Sequence, residues 1–203
     1  MVKVKLCGLK RPCDIEWANE ERPDFIGLVF AGQKRRVSDE LAGELRRLLR
    51  KDIPAVGVFV NDTVEHIASL VQQGTIQLVQ LHGQEDEAYM KELRHRVDVP
   101  LIKAFSIDTP ADIDRARASS ADYILVDHGA GGTGQTFDWR LLEELRRECF
   151  LAGGLNPDNA AAAVRLRPYA VDVSSGIETD GVKDRNKIRK FMVQVRRVQQ
   201  EGI

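Results

Sequence analysis

Two side chains able to move protons stand at the ends of two apolar runs. Cys7 closes the run VKVKLCG, Val2 to Gly8, in which Val2, Val4 and Leu6 alternate with Lys3, Lys5 and Cys7; Asp127 closes YILVD, Tyr123 to Asp127. Runs of this kind read as strands, so each delivers its last residue to a strand end. A thiol and a carboxyl brought face to face could serve as general base and general acid. Each also has a plainer reading, Cys7 as a small buried hydrophobe and Asp127 as a loop cap. The elements that position them have to decide.

A second set of residues is suited to an anion. Gly153 and Gly154 follow one apolar segment, and Ser175 and Gly176 follow another, with a short helix expected near Ile177. Backbone NH groups in such turns can cradle a phosphate without any net positive charge, although paired glycines also make ordinary tight turns. The glycine-rich stretch Gly129 to Gly134 (GAGGTG) lies close to Asp127 and could fold over a ligand. Lys34, Arg35 and Arg36 form a basic cluster; such runs are usually solvated, yet an arginine there could hold a carboxylate through two parallel hydrogen bonds. His82 ends a strand and is a candidate ligand contact, whereas His66 and His95 fall on helices and read as surface or packing residues. His128, beside Asp127, stays ambiguous.

The elements alternate regularly. Expected strands are Val2 to Gly8, Asp24 to Phe30, Pro54 to Val60, Ile76 to Leu81, Leu101 to Phe105, Tyr123 to Asp127, Phe150 to Gly154 and Ala170 to Ser174. Between them lie helix patterns: Pro12 to Glu21, a Ser38-capped helix with Leu41, Leu45 and Leu48, one capped by Asp62 with Glu65, and Glu85 to Arg96. Four more follow, opened by Thr109 with Pro110, by Asp138, by Asn156 with Pro157, and by Asp184. Eight strands with helices between them can close as a (β/α)8 barrel or lie open as a doubly wound sheet. The count favours the α/β barrel, as a single domain over residues 1–203. The open sheet would more usually carry three spaced glycines after its first strand, and CGLKR lacks them. In a barrel, chemistry gathers at the C-terminal ends of strands, which places Cys7 and Asp127 at one mouth.

Composition narrows the partners. Lys+Arg 30 against Asp+Glu 31 leaves a net charge of -1, so no global field draws nucleic acid or an anionic membrane. No apolar run is long enough to span a bilayer. The Cys count is 3, odd and widely spaced, which fits a reduced cytoplasmic setting and no paired zinc spacing, so no metal is expected.

The ordered motifs KLCG (Lys5 to Gly8), GLVF (Gly27 to Phe30), Arg36 before Val37 and Ser38, VGVFVN (Val56 to Asn61), QLHG (Gln80 to Gly83), Asp127, GGTG with FDW (Gly131 to Trp139), LAGGL (Leu151 to Leu155) and DVSSGIE (Asp172 to Glu178) with Lys183 and Asp184 resemble the phosphoribosylanthranilate isomerase family of tryptophan biosynthesis. The resemblance covers nearly the whole chain. It implies an Amadori rearrangement of a phosphoribosyl aminoaldose to an aminoketose, with a small-molecule substrate, no cofactor, and a monomer or homodimer. It also implies Cys7 as base, Asp127 as acid, Arg36 as the carboxylate contact, and Gly153, Gly154, Ser175 and Gly176 as the phosphate site; His82 and Asp172 match further site positions. The second loop, AGQKRR, departs from the family pattern in lacking a proline and a serine, which makes Arg35 an alternative to Arg36. A thiolate base needs a neighbouring positive charge, and Lys5, on the same strand face, or Arg36 could supply it.

Overall fold

Eight short parallel strands alternate with helices and close on themselves in the computed structural model, which describes residues 1–127, 139 and 142–202. The order is β1 (Lys3–Cys7), α1 (Pro12–Glu21), β2 (Phe25–Val29), α2 (Asp39–Leu48), β3 (Ala55–Phe59), α3 (Val64–Gln72), β4 (Leu78–Leu81) and α4 (Glu87–Arg94). It continues with β5 (Leu101–Ser106), α5 (Pro110–Ala118), β6 (Tyr123–Asp127), α6 (Leu142–Leu145), β7 (Cys149–Leu151), α7 (Ala160–Arg165) and β8 (Ala170–Val173). A 3-10 turn (Ser175–Ile177) and a small hairpin, β9 (Glu178–Thr179) and β10 (Val182–Lys183), precede α8 (Arg185–Gln200).

β8 returns to β1 in parallel, pairing Lys5 with Asp172, and this seam closes the barrel. The strand alternation now has two meanings. Val4, Leu6, Ile26, Leu28, Val79 and Leu81 face outward into a core shared with the helices. Phe25, Val56, Leu78, Ile102, Leu125, Phe150 and Ala170 fill the barrel interior. One step along each strand on this inward parity stand Cys7, Gln80, Asp127 and Asp172, so hydrophobic packing of the lower barrel delivers polar groups to its mouth.

The expected barrel is confirmed, and most element bounds lie within two residues of the sequence reading. Three helix starts differ. Thr63, not Asp62, caps α3, because its side chain accepts from the His66 amide while the Asp62 carboxylate is held by the His66 ring at 2.8 Å. Asp86 caps α4, since Glu85 turns inward to pair with Lys103 at 3.0 Å. Asn156 caps the turn that Pro157 starts, its side chain accepting from the amides of Asp158 and Asn159 and its carbonyl from Ala160, and the regular helix α7 follows from Ala160. The loop Gly129 to Gly134, His128 and the expected cap Asp138 lie outside the described residues. Among the described residues no helix is long and apolar enough to cross a membrane, and no cluster of His, Cys, Asp and Glu could hold a metal ion.

Candidate active site

The C-terminal ends of the strands surround a cavity of about 370 Å3, lined among others by Cys7, Gln80, His82, Asp127, Asp172 and Ser175. The expected base and acid therefore share one chamber. Gly153 and Gly154 line it too, with φ angles of 84° and 65° that a side chain would strain. Gly176 lies just outside the lining, packed against Leu155 and Asn156, and so ties the turn after β8 to the turn after β7. Among the described residues the backbone amides of Gly154, Ser175 and Gly176 have no acceptor in the protein. Free donors in two adjacent turns suit a phosphate.

Cys7 is 8% exposed, and space for its sulfur exists only because its neighbour across the β1–β2 ladder is Gly27. A Cβ on that glycine would approach the thiol sulfur to 2.6 Å. Directly beneath, Lys5 is fully buried and donates to Asp172 Oδ2 at 2.8 Å. Burial acts against the Lys5 charge, but Asp172 and Cys7 outweigh it and raise its pKa, so it stays an ammonium. For Cys7 the balance runs otherwise. Burial raises the thiol pKa, Lys5 and Lys183 pull it down, Asp172 pushes it up, and the outcome lies above the ordinary value. Without substrate the group is a thiol.

On the opposite wall, Gln80 Nε2 donates to His82 Nδ1 at 2.9 Å, which leaves the proton on His82 Nε2, 3.9 Å from Asp127 Oδ2. Burial and the Lys5 charge lower the His82 pKa, so the ring is neutral near pH 7. Among the described residues, two buried oxygens that line the cavity have no hydrogen-bond partner: Gln80 Oε1 and Asp172 Oδ1.

The basic cluster separates. Arg35 lines the cavity but is clamped by Glu178, through Nε at 2.7 Å and Nη2 at 2.9 Å. Glu178 also accepts from Lys183 at 2.7 Å, and Lys183 reaches back to the Ser174 carbonyl at 2.9 Å. Arg36 is exposed beside the end of β2, outside the cavity lining, and makes no hydrogen bond or ion pair among the described residues. Lys183, Glu178 and Gln80 were not singled out as site residues from sequence. Lys183 is carried to the thiol by the β9–β10 hairpin, whose turn residues Asp180 and Gly181 both have positive φ, so the Asp-Gly pair was the available signal.

Residues 4–194 match the family model for N-(5'-phosphoribosyl)anthranilate (PRA) isomerase. The chain belongs to this family. It is 49% identical to the N-(5'-phosphoribosyl)anthranilate isomerase of Endomicrobium trichonymphae, over 93% of this chain and 95% of that one. Among solved structures, the phosphoribosyl anthranilate isomerase of Thermotoga maritima superposes with a TM-score of 0.88 at 36% identity, covering 97% of this chain and 99% of that one. That of Thermus thermophilus gives 0.88 at 30%, covering 97% and 100%. A further structure of the isomerase, 35% identical with a TM-score of 0.86 and covering 97% of this chain and 99% of that one, holds reduced 1-(o-carboxyphenylamino)-1-deoxyribulose 5-phosphate. Family members thus share the barrel over almost their full length.

Proposed function

We propose that this protein catalyses the Amadori rearrangement of N-(5'-phosphoribosyl)anthranilate to 1-(2-carboxyphenylamino)-1-deoxyribulose 5-phosphate, an isomerisation in tryptophan biosynthesis. The observation that carries the reading is the single chamber lined by a buried thiol, a buried carboxyl and the glycine turns after β7 and β8.

Asp127 gives its proton to the furanose ring oxygen. The C1–O bond breaks, the anilino nitrogen lone pair forms the C1=N bond, and a protonated Schiff base results. Cys7, its own proton released to solvent, takes the proton from C2 as the thiolate; those electrons form the C1=C2 bond and neutralise the iminium, and the enolamine becomes the ketone by gaining a proton at C1 and losing that of the C2 hydroxyl. The electrostatics of Cys7 fit this order. Burial favours the thiol, with Lys5 and Lys183 pulling the other way. The phosphate brings negative charge to the far turns, while the iminium adds a positive charge one bond from C2, beside the sulfur, and so favours the thiolate when the base is needed. Ring opening and removal of the C2 proton both use groups of the chain, and no cofactor enters.

The amides at Gly153, Gly154, Ser175 and Gly176 take the phosphate. Arg36 takes the anthranilate carboxylate, supported by its uncommitted guanidinium at the mouth, whereas Arg35 is already paired with Glu178. His82 and Asp172 contact the sugar. Every group comes from one chain, so a site is complete in a monomer or in each half of a homodimer. The single barrel of residues 1–203 works on a small molecule in the cytoplasm, where free Cys7, Cys13 and Cys149 stay reduced.

The test is the decay of the substrate's N-substituted anthranilate fluorescence when folded protein meets freshly made phosphoribosylanthranilate. Cys7→Ala and Asp127→Ala are each expected to lower turnover by about 10²–10⁴-fold while binding of the reduced product analogue persists. Unchanged turnover in both variants would remove Cys7 and Asp127 as base and acid, and no decay with the parent protein would leave a phosphometabolite-binding barrel.

A further inference from the structure

Gln80 is 1% exposed, sits on the inward face of β4 and lines the catalytic cavity. Its amide is half used: Nε2 donates to His82 Nδ1 at 2.9 Å, and Oε1 has no partner. Turning the amide over would change which polar atom is left, not whether one is left. A buried amide with an unmet atom facing a cavity is costly to maintain, and the usual resolution is a ligand group that completes it. The ring oxygen and anilino nitrogen of the substrate are engaged in the reaction itself, whereas a sugar hydroxyl can both donate and accept, so it suits either amide atom.

We propose that Gln80 binds the C3 hydroxyl of the substrate's sugar and makes the site selective for it. The assignment rests on the proposed isomerase reading and follows the order of carbons in it. Cys7 works at C2 and Asp127 at the ring oxygen, which C4 carries once the ring has opened; C3 lies between them. In the strand order Gln80 on β4 comes between Cys7 on β1 and Asp127 on β6, and it is joined through His82 to Asp127, whose carboxyl is 3.9 Å from the imidazole. Across the barrel, Asp172 Oδ1 is the second unmet acceptor, next to the lysine that serves Cys7. It stands on the C2 side of the chamber. The pair would fix the sugar between β4 and β8 while the phosphate and the anthranilate carboxylate are held elsewhere.

The consequence is a specific penalty for a missing hydroxyl, because a site built to hydrogen-bond an OH group rejects an analogue that leaves its buried partner bare. The experiment measures binding of reduced 1-(o-carboxyphenylamino)-1-deoxyribulose 5-phosphate and of its 3-deoxy and 2-deoxy counterparts by calorimetry. The parent protein should bind the 3-deoxy compound at least about tenfold more weakly than the full ligand. In Gln80→Met, which is close in volume and without the amide, the two should bind alike while the 2-deoxy penalty stays. His82→Gln, with Gln80 intact, separates the direct role from one exerted through the imidazole: it should weaken both ligands together and keep their ratio.

Absence of a 3-deoxy penalty in the parent protein overturns the proposal without any variant. So does a penalty that survives in Gln80→Met, that vanishes in His82→Gln, or that falls on the 2-deoxy compound instead. If the parent protein turns over phosphoribosylanthranilate and any of these results is found, only the role of Gln80 fails. If it neither turns over the substrate nor binds the full ligand, the isomerase reading fails first.

Discussion

Lys5 and Asp172 are register partners across the β1–β8 seam, and their side chains meet inside the barrel at 2.8 Å, with Lys5 wholly buried directly below the Cys7 thiol. The pair that closes the barrel thus also sets the charge around the candidate base. Asp172 keeps Lys5 protonated, and Lys5 in turn opposes the burial that raises the thiol pKa.

Replacing Lys5 by Met should therefore harm both stability and chemistry. Breaking one side of a buried pair typically costs about 3–5 kcal/mol, because the remaining charge is stranded. Urea denaturation should show a loss of that order, and Lys5→Met with Asp172→Leu should recover part of it. The double variant should still be slow, and the alkaline rise of its kcat/KM should move to higher pH, because the cation that favours the thiolate is gone. A profile unchanged from that of the parent protein would remove Lys5 from the account.

The two neighbouring arginines should respond differently. Arg36→Ala is expected to raise KM for phosphoribosylanthranilate with a small effect on kcat, as for a contact made equally in the ground and transition states. Arg35→Ala removes the clamp on Glu178, so both kcat and thermal stability should fall. Equal KM effects from both variants would mean that the carboxylate is not held by Arg36 alone.

Glu178 ties the loop after β2 to the hairpin after β8, and its pKa reflects that. Burial raises it, but the hydrogen bonds from Arg35 and Lys183 win and hold it at about 2, below the ordinary 4.5. A carboxyl depressed on folding stabilises the protein above its unfolded value and loses that contribution as the pH falls through the folded one. Between about pH 4.5 and 2 the parent protein should lose stability more steeply than Glu178→Gln. Parallel melting curves across that window would show that the bridge is energetically silent.

His66 gives the opposite sign. Its ring bridges Asp62 at 2.8 Å and Asp39 at 3.0 Å, joining α3 to α2. Partial burial lowers its pKa, but the two carboxylates outweigh that and raise it above 6.5. Its stabilisation is complete below 6.5 and disappears as the pH rises through the raised folded value. An NMR titration of the imidazole should place its midpoint above 6.5, and His66→Gln should flatten the stability profile there. The effect should be small, since the pair is partly solvated.

Much of the barrel was legible because it rests on local patterns. Alternating runs, caps such as Ser38 and Thr109 with Pro110, and turn glycines each act over a few residues, and β6 and α1 agree with their expected bounds residue for residue. The misplaced starts of α3 and α4 share a cause. Asp62, expected as a cap, instead bonds the His66 ring, and Glu85, expected to start α4, pairs with the distant Lys103 ammonium.

By itself the sequence determined the alternation that makes a barrel and the placing of Cys7, His82, Asp127, Gly153 and Ser175 at successive strand ends, because parity along a strand is a property of neighbours. Only the tertiary structure decided which groups share a chamber: that Lys5 serves Cys7 while paired to Asp172, that Arg35 is tied to Glu178 and Arg36 is not, and that Gln80 keeps one amide atom unmet. Those relations span up to 167 residues of chain. They follow from barrel closure, which brings β8 against β1 and sets β4 across from them, and no local pattern encodes which buried charge or amide will find its partner there.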